Sequence, residues 1–317
     1  MSGGSGSTTV SGSSAAERIG LAAAERIDEH CRRAPAEPLR RYVAWYAGYR
    51  QRGVAPATHR GLPSPFLTLI FTLDEPLSML AHPDPGQPPG DWGTLLGGLH
   101  STPALIVHDG AQSGIQLALR PLGTRALLGL PAGELADIDV PAEAVLGGVC
   151  AELRARVAAA ACWRERFGIL DEILLRLISG GGAGGGAGLA ASAARAPAPE
   201  VAWAWRQLLV SGGATRVSEL ATGTGWSSRH LTSRFRTEIG LTPKTAARVI
   251  RFGRARRLLV SQLTADPAAR LADLAVTCGY FDQAHLAREF RALAGCPPSQ
   301  WLAEEFRNVQ AAEAPPE

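Results

Sequence analysis

No stretch of this 317-residue chain reaches the roughly 18 consecutive apolar residues that a membrane-spanning helix needs. The N-terminus, rich in Gly, Ser and Thr, has neither the basic start nor the apolar core of a secretory signal, so a cytoplasmic protein without a membrane partner is expected. Cysteine is scarce. The five residues Cys31, Cys150, Cys162, Cys278 and Cys296 are odd in number and show no C-x-x-C spacing, which excludes a disulfide framework and a zinc site and predicts buried, reduced thiols and no bound metal. G-x-S-x-G, H-E-x-x-H and a phosphate-binding loop are all absent, so no catalytic residue and no cofactor is expected. Aromatic residues are only 6% and charged residues 19%, but the apolar fraction of 46% is that of a globular protein rather than a fibrous or disordered one. At this length two buried cores are expected.

Glycine and proline show where the division falls. Residues 1–15 are low-complexity Gly/Ser/Thr and read as a disordered tail. Residues 179–199, with two glycine triplets followed by Ala and Pro, cannot bury a core and read as a flexible linker. That leaves an N-terminal domain over 16–178, a C-terminal domain over 200–306 and a second disordered tail over 307–317. Charge follows the same boundary: 201–310 holds 15 Lys and Arg against 8 Asp and Glu, a balance of +7, whereas 1–200 has a balance of −2. A basic domain joined to a near-neutral one suits contact with a polyanion, although an Arg-rich sequence also gives plain solvated helices.

The N-terminal domain reads as mixed α/β. Phe66–Leu73 is rich in β-branched and aromatic residues, Ala104–His108 is a short apolar run, and Ser113–Arg120 turns Ile115, Leu117 and Leu119 to one side, so three strands are expected. Pro141–Ile178 is helical in pattern, with Phe167, Leu170, Ile173, Leu174 and Leu177 on one face. That face packs either on the domain's own sheet or on a second chain, which would make a homodimer through the N-terminal domain.

The strongest pattern lies in the C-terminal third, where a motif is written twice. Leu220, Ala221, Gly225, Trp226, Leu231, Phe235, Gly240 and Pro243 recur as Leu274, Ala275, Gly279, Tyr280, Leu286, Phe290, Gly295 and Pro298, offset by 54 residues before the turn and 55 after it. Each copy reads as a short helix, a glycine turn and a second amphipathic helix, the arrangement that lays one helix in the major groove of DNA. The expected class is therefore α+β: a mixed α/β sensor domain followed by an all-α domain of two helix-turn-helix lobes joined by a long helix that starts at Pro243. Ser227 and Asp282 are natural N-caps of the two second helices. With the leucines and phenylalanines turned inward, Arg229, Thr232 and Ser233 in the first copy, and Gln283, Ala284 and Arg288 in the second, face outward as candidate base readers. Arg pairs with guanine, Gln with adenine, and Ala meets a thymine methyl. Ser227, Arg236, Arg248, Arg254, His285 and Arg291 are candidate phosphate contacts.

Leu274 to Arg291, followed by Gly295-x-Pro-Pro-Ser-x-Trp, resembles the second helix-turn-helix of the AraC/XylS transcription regulators, and the likeness extends over Val201–Leu302. It implies a bi-lobed helical domain on double-stranded DNA with RNA polymerase as a protein partner. It also carries the family's base-reading places onto Arg229, Ser233, Gln283, Ala284 and Arg288. The N-terminal half, through Arg60-Gly-Leu-Pro-Ser-Pro and Gly114–Gly133, is similar to an uncharacterised sensor domain found ahead of this reader in actinobacterial regulators. A small-molecule effector is expected there, with Tyr42, Trp45, Tyr46, His59, Arg60 and His108 as the candidate pocket. The alternative is an Ada-like DNA-repair methyl acceptor. It needs a four-cysteine zinc site, for which Cys31, Cys150 and Cys162 are too few and too scattered.

Overall fold

The computed structural model describes Met1 and residues 26–180, 196–265 and 271–304. Both expected tails and most of the expected linker lie outside the described residues.

Among the described residues the N-terminal half has ten strands, β1 (Ile27–Arg33), β2 (Val43–Arg52), β3 (Ala57–Gly61), β4 (Leu67–Thr72), β5 (Leu77–Ala81), β6 (Gly90–Trp92), β7 (Thr94–Gly97), β8 (Ala104–His108), β9 (Gln112–Leu119) and β10 (Asp139–Val140). They form a six-stranded sheet in the order β1-β2-β9-β4-β7-β10 and a four-stranded sheet in the order β3-β8-β5-β6, and their ladders are antiparallel. Strand β4 is buried on both faces because it is central and lies between two layers. Leu67, Leu69 and Phe71 join the main core, while Ile70 packs with Leu77, Met79, Leu95, Ala104 and Ile106 between the sheets.

Four helices follow: α1 (Thr124–Leu128), α2 (Glu143–Leu146), α3 (Gly148–Ala159) and α4 (Trp163–Ile178). Pro141–Ile178 is thus broken into three, first at Gly147, which has a φ of 55°. On α4 the apolar stripe is sealed, with Phe167, Leu170, Ile173 and Leu174 all at 2% exposure or less. Phe167 stacks on Tyr46 of β2 at 5.8 Å. These four are taken up within the chain, while Leu177 at the end of the stripe is half-buried.

The C-terminal half contains α5 (Pro199–Val210), α6 (Val217–Thr224), α7 (Ser228–Ile239), α8 (Pro243–Ala265), α9 (Leu271–Thr277) and α10 (Gln283–Ala294), then a helical segment at 298–304. Helix α8 is common to two lobes. In the first, α5 to α7 close over Trp205 and Phe235; in the second, Phe290 sits between Phe252 of α8 and Trp301. Gly213, at φ 82°, lies against the Ala247 carbonyl, and Arg251 donates to the Gly213 carbonyl at 2.8 Å, which fixes the end of α5 on α8.

Among the described residues, the two halves meet at both lobes. The segment Pro121–Ala136 lies on the C-terminal end of α7, where Arg125 makes a two-point ion pair with Glu238, each bond 2.9 Å. Gly133 there meets the carbonyls of Arg236 and Thr237 so closely that any Cβ would collide with backbone. On the second lobe, Arg60 of β3 pairs with Glu304 at 3.0 and 3.3 Å.

Candidate nucleic-acid interface

The two lobes are built alike. Helix α6 stops because Gly225 takes φ 70°, and α9 gives way to Gly279 at φ 75°, a backbone region open to glycine at no steric cost. The second helix of each lobe is then capped by a side chain: Ser227 accepts from the His230 N–H at 3.2 Å, and Asp282 accepts from the His285 N–H at 2.6 Å. An aromatic residue of each turn meets a histidine edge-on, Trp226 with His230 at 4.6 Å and Tyr280 with His285 at 5.3 Å. Inward, Leu231, Phe235 and Ile239 of α7 and Leu286 and Phe290 of α10 are fully buried. Both helices end on a left-handed glycine, Gly240 and Gly295.

That construction turns a polar face outward on each reader. On α7, Arg229, Ser233 and Arg236 are exposed, and Thr232 is half-buried with its hydroxyl donating to the Ser228 carbonyl at 2.7 Å, which leaves its methyl and the oxygen's acceptor side to meet a ligand. On α10, Gln283, Ala284, Arg288 and Arg291 are exposed. The α7 face forms one wall of a concavity of about 740 Å³, and Gly133 of the N-terminal half contributes to the opposite rim.

A helix-turn-helix domain family matches residues 220–304, which covers both lobes from the first motif onward. The C-terminal domain is an AraC-type helix-turn-helix domain. Residues 31–141 match a family described as a domain of unknown function, DUF6597. The chain is accordingly a DNA-binding transcription regulator. No curated protein matches it. Among solved structures, ToxT from Vibrio cholerae is 10% identical over 82% of this chain and 97% of its own, with a TM-score of 0.49. The C-terminal domain of AraT, a response regulator from Geobacillus stearothermophilus, is 21% identical over 33% and 84%, with a TM-score of 0.30. The AraC-like transcriptional activator CuxR is 13% identical over 73% and 86%, with a TM-score of 0.31.

Several of the expected phosphate contacts have other work in the AraC-type domain. Arg248 is engaged by Glu289 through Nε and Nη2, each at 2.9 Å to a carboxylate oxygen, because Glu289 is only 14% exposed where α8 crosses α10 and needs a counter-charge. The imidazole of His285 accepts from the Phe281 N–H through Nδ1 at 3.2 Å, which fixes the turn. Ser227 uses its hydroxyl as the N-cap. Arg254 is half-buried beside Gly212 at the end of α5. Arg236 and Arg291 alone of the six have exposed side chains with no such structural engagement among the described contacts.

The six residues of the expected effector pocket are not brought together. Tyr46 is a core residue whose O–H donates to Asp171 at 3.0 Å, and burial beside that carboxylate raises its pKa. Trp45 carries Arg32 over its ring at 4.4 Å, and Tyr42 packs against Gly123. Arg60 is held by Glu304. Only His59 and His108 are neighbours, on paired strands with ring centres 6.3 Å apart. Burial, aided by the His108 charge, pushes His59 down to about 4, and burial also lowers His108, so both are neutral near pH 7. His108 does line a cavity of about 390 Å³ at one end of the two sheets, with Tyr49, Thr72, Glu75, Gln112 and Ser113. Those five carry no periodic or spacing signal, since pairing across sheets brings them together. Of the cysteines, Cys150, Cys278 and Cys296 are buried as expected, with burial pushing Cys150 up to about 12, but Cys162 is exposed at the start of α4. No group of three potential metal ligands occurs among the described residues. Nor is any helix among them long and apolar enough to cross a membrane.

Proposed function

We propose that the protein is a sequence-specific regulator that sets α7 and α10 into successive major grooves on one face of double-stranded DNA. One observation carries this reading: two capped helices with exposed polar and basic faces stand on a common 23-residue helix, α8. At about 1.5 Å per residue such a helix is about 34 Å long, close to the separation of consecutive major-groove faces. Base reading then falls to Arg229, the Thr232 methyl and Ser233 in the first lobe and to Gln283, Ala284 and Arg288 in the second, with Arg236 and Arg291 on phosphates.

The reading domain spans 200–306 and the sensor 16–178, joined through 179–199. The sensor acts on the reader through the contacts made by Arg125, Gly133 and Arg60, under the influence of a small molecule in the cavity lined by His108 and Glu75. RNA polymerase is the protein partner at the promoter.

Hydroxyl-radical footprinting of the full-length chain, on a duplex it enriches from a random library, tests the reading. Two protected segments about 10 bp apart on one face are expected. Protection confined to one groove would overturn the tandem arrangement.

A further inference from the structure

The two turns differ by one residue. When Gly225 is set against Gly279, Trp226 against Tyr280, and the caps Ser227 and Asp282 against each other, the residue left over is Phe281. In the first lobe the turn aromatic is followed at once by the cap; in the second, Phe281 stands between them. The addition is not absorbed by the core. Phe281 is 89% exposed, although Tyr280 beside it is only 4% exposed. Nor is it on a loose loop, because its N–H donates to His285 Nδ1 and the next residue caps α10. A phenyl ring is therefore held in water on a fixed backbone, next to the N-terminal turn of the helix that presents Gln283 and Ala284. In a helix-turn-helix, the N-terminal residues of the second helix are the ones that reach base edges.

We propose that Phe281 is a DNA contact of the second lobe, its ring covering the 5-methyl group of a thymine beside the base pair met by Gln283. The inference rests on the DNA-reading role of α10 proposed above. The chemistry is apolar: thymine alone carries a methyl group in the major groove, and a phenyl ring recognises it without a hydrogen bond or a charge. Phe281 would thus add discrimination that the first lobe, lacking the extra residue, does not have.

The test uses the full-length chain and the duplex it enriches from a random library. Phe281→Ala should weaken binding roughly tenfold while leaving the slope of affinity against salt unchanged, since no phosphate contact is lost. Its far-ultraviolet spectrum and melting should match those of the parent, because the residue is 89% exposed. Replacing each thymine in turn by deoxyuracil removes only a methyl group, and needs no variant protein. One position should weaken the parent severalfold and leave Phe281→Ala indifferent. Unchanged DNA binding by Phe281→Ala, whether or not transcription falls, would overturn the proposal in favour of a protein partner at this ring. A loss with no deoxyuracil-sensitive thymine would overturn it in favour of a sugar contact. If Arg288→Ala weakens binding where Phe281→Ala does not, only the Phe281 assignment fails; if neither matters, the DNA-reading role of α10 fails with it.

Discussion

The two helix-turn-helix lobes share one internal plan and differ in what surrounds it. Both have a left-handed glycine in the turn, a side-chain N-cap, an aromatic ring against a histidine, and a buried phenylalanine at the centre. In the first lobe the N-terminal domain is seated on the C-terminal end of α7, with Arg125 and Glu238 largely closed to solvent. The second meets the N-terminal domain through the more open Arg60–Glu304 pair and through Gly295 at the end of α10, which lies against Arg60 and Pro103, while Gln283, Ala284 and Arg288 stay exposed. A duplicated motif thus meets the N-terminal domain at the C-terminal end of both second helices, through a more enclosed ion pair at α7 than at α10. The physical difference is burial: the carboxylate of Glu238 is 7% exposed and that of Glu304 24%.

The strongest way to test the shared plan is to hollow out each lobe. Phe235→Ala and Phe290→Ala should each cost about 3 to 5 kcal/mol in denaturant titration of the full chain, because both rings are fully enclosed. Clearly unequal costs would show that the lobes are not equivalent inside. The difference in docking comes next. Arg125→Ala should destabilise by about 3 kcal/mol by leaving Glu238 buried without its guanidinium partner, whereas Arg60→Ala should cost about 1 kcal/mol or less. Amide exchange read along α7 and along residues 298–304 would separate the two, and equal loosening would remove the asymmetry.

Smaller effects bear on reading. Arg288→Ala should weaken binding to the enriched duplex by about 1 to 3 kcal/mol and relax base preference at one position, while Ser233→Ala, which removes a single hydroxyl, should cost about 0.5 to 1.5 kcal/mol. Fluorescence anisotropy against matched and shuffled duplexes decides, and a larger loss for Ser233 would shift discrimination to the first lobe. Smallest in affinity, but sharp in kind, is the salt response. Arg236→Ala should lower the salt slope by about 1, while Arg248→Ala should leave it unchanged and instead reduce the stability of the second lobe. A lowered slope for Arg248 would restore it as a phosphate contact.

Much of the reading half was legible in the sequence because its signals are local. Gly225, Ser227, Asp282 and the Leu231–Phe235 and Leu286–Phe290 spacings specify turns, caps and inward faces within a few residues of chain, and three helices begin where expected, after Ser227 and Asp282 and at Pro243. The N-terminal half was less legible. Ala104–His108 emerged as expected, but β2 was missed because Gly48 and a bulge near Val43 interrupt its alternation. Its Tyr46 looked like a pocket residue, since nothing in the sequence ties it to Asp171, 125 residues away. The carboxylate partners of Arg248 and Arg60 were hidden for the same reason. An arginine's partner is set by which helices cross, and Glu289 and Glu304 are distant in sequence from the residues they hold.

The meeting of Gly133 with the carbonyls at the end of α7 bears on modularity. Regulators of this build invite the exchange of a sensor from one chain onto the reader of another, as if the linker were the only join. Here the join also runs through main chain against main chain, with no room for even a methyl group. A hybrid that brings a bulkier residue to position 133 would have to part the N-terminal domain from the end of α7, so an exchange must carry the glycine with it.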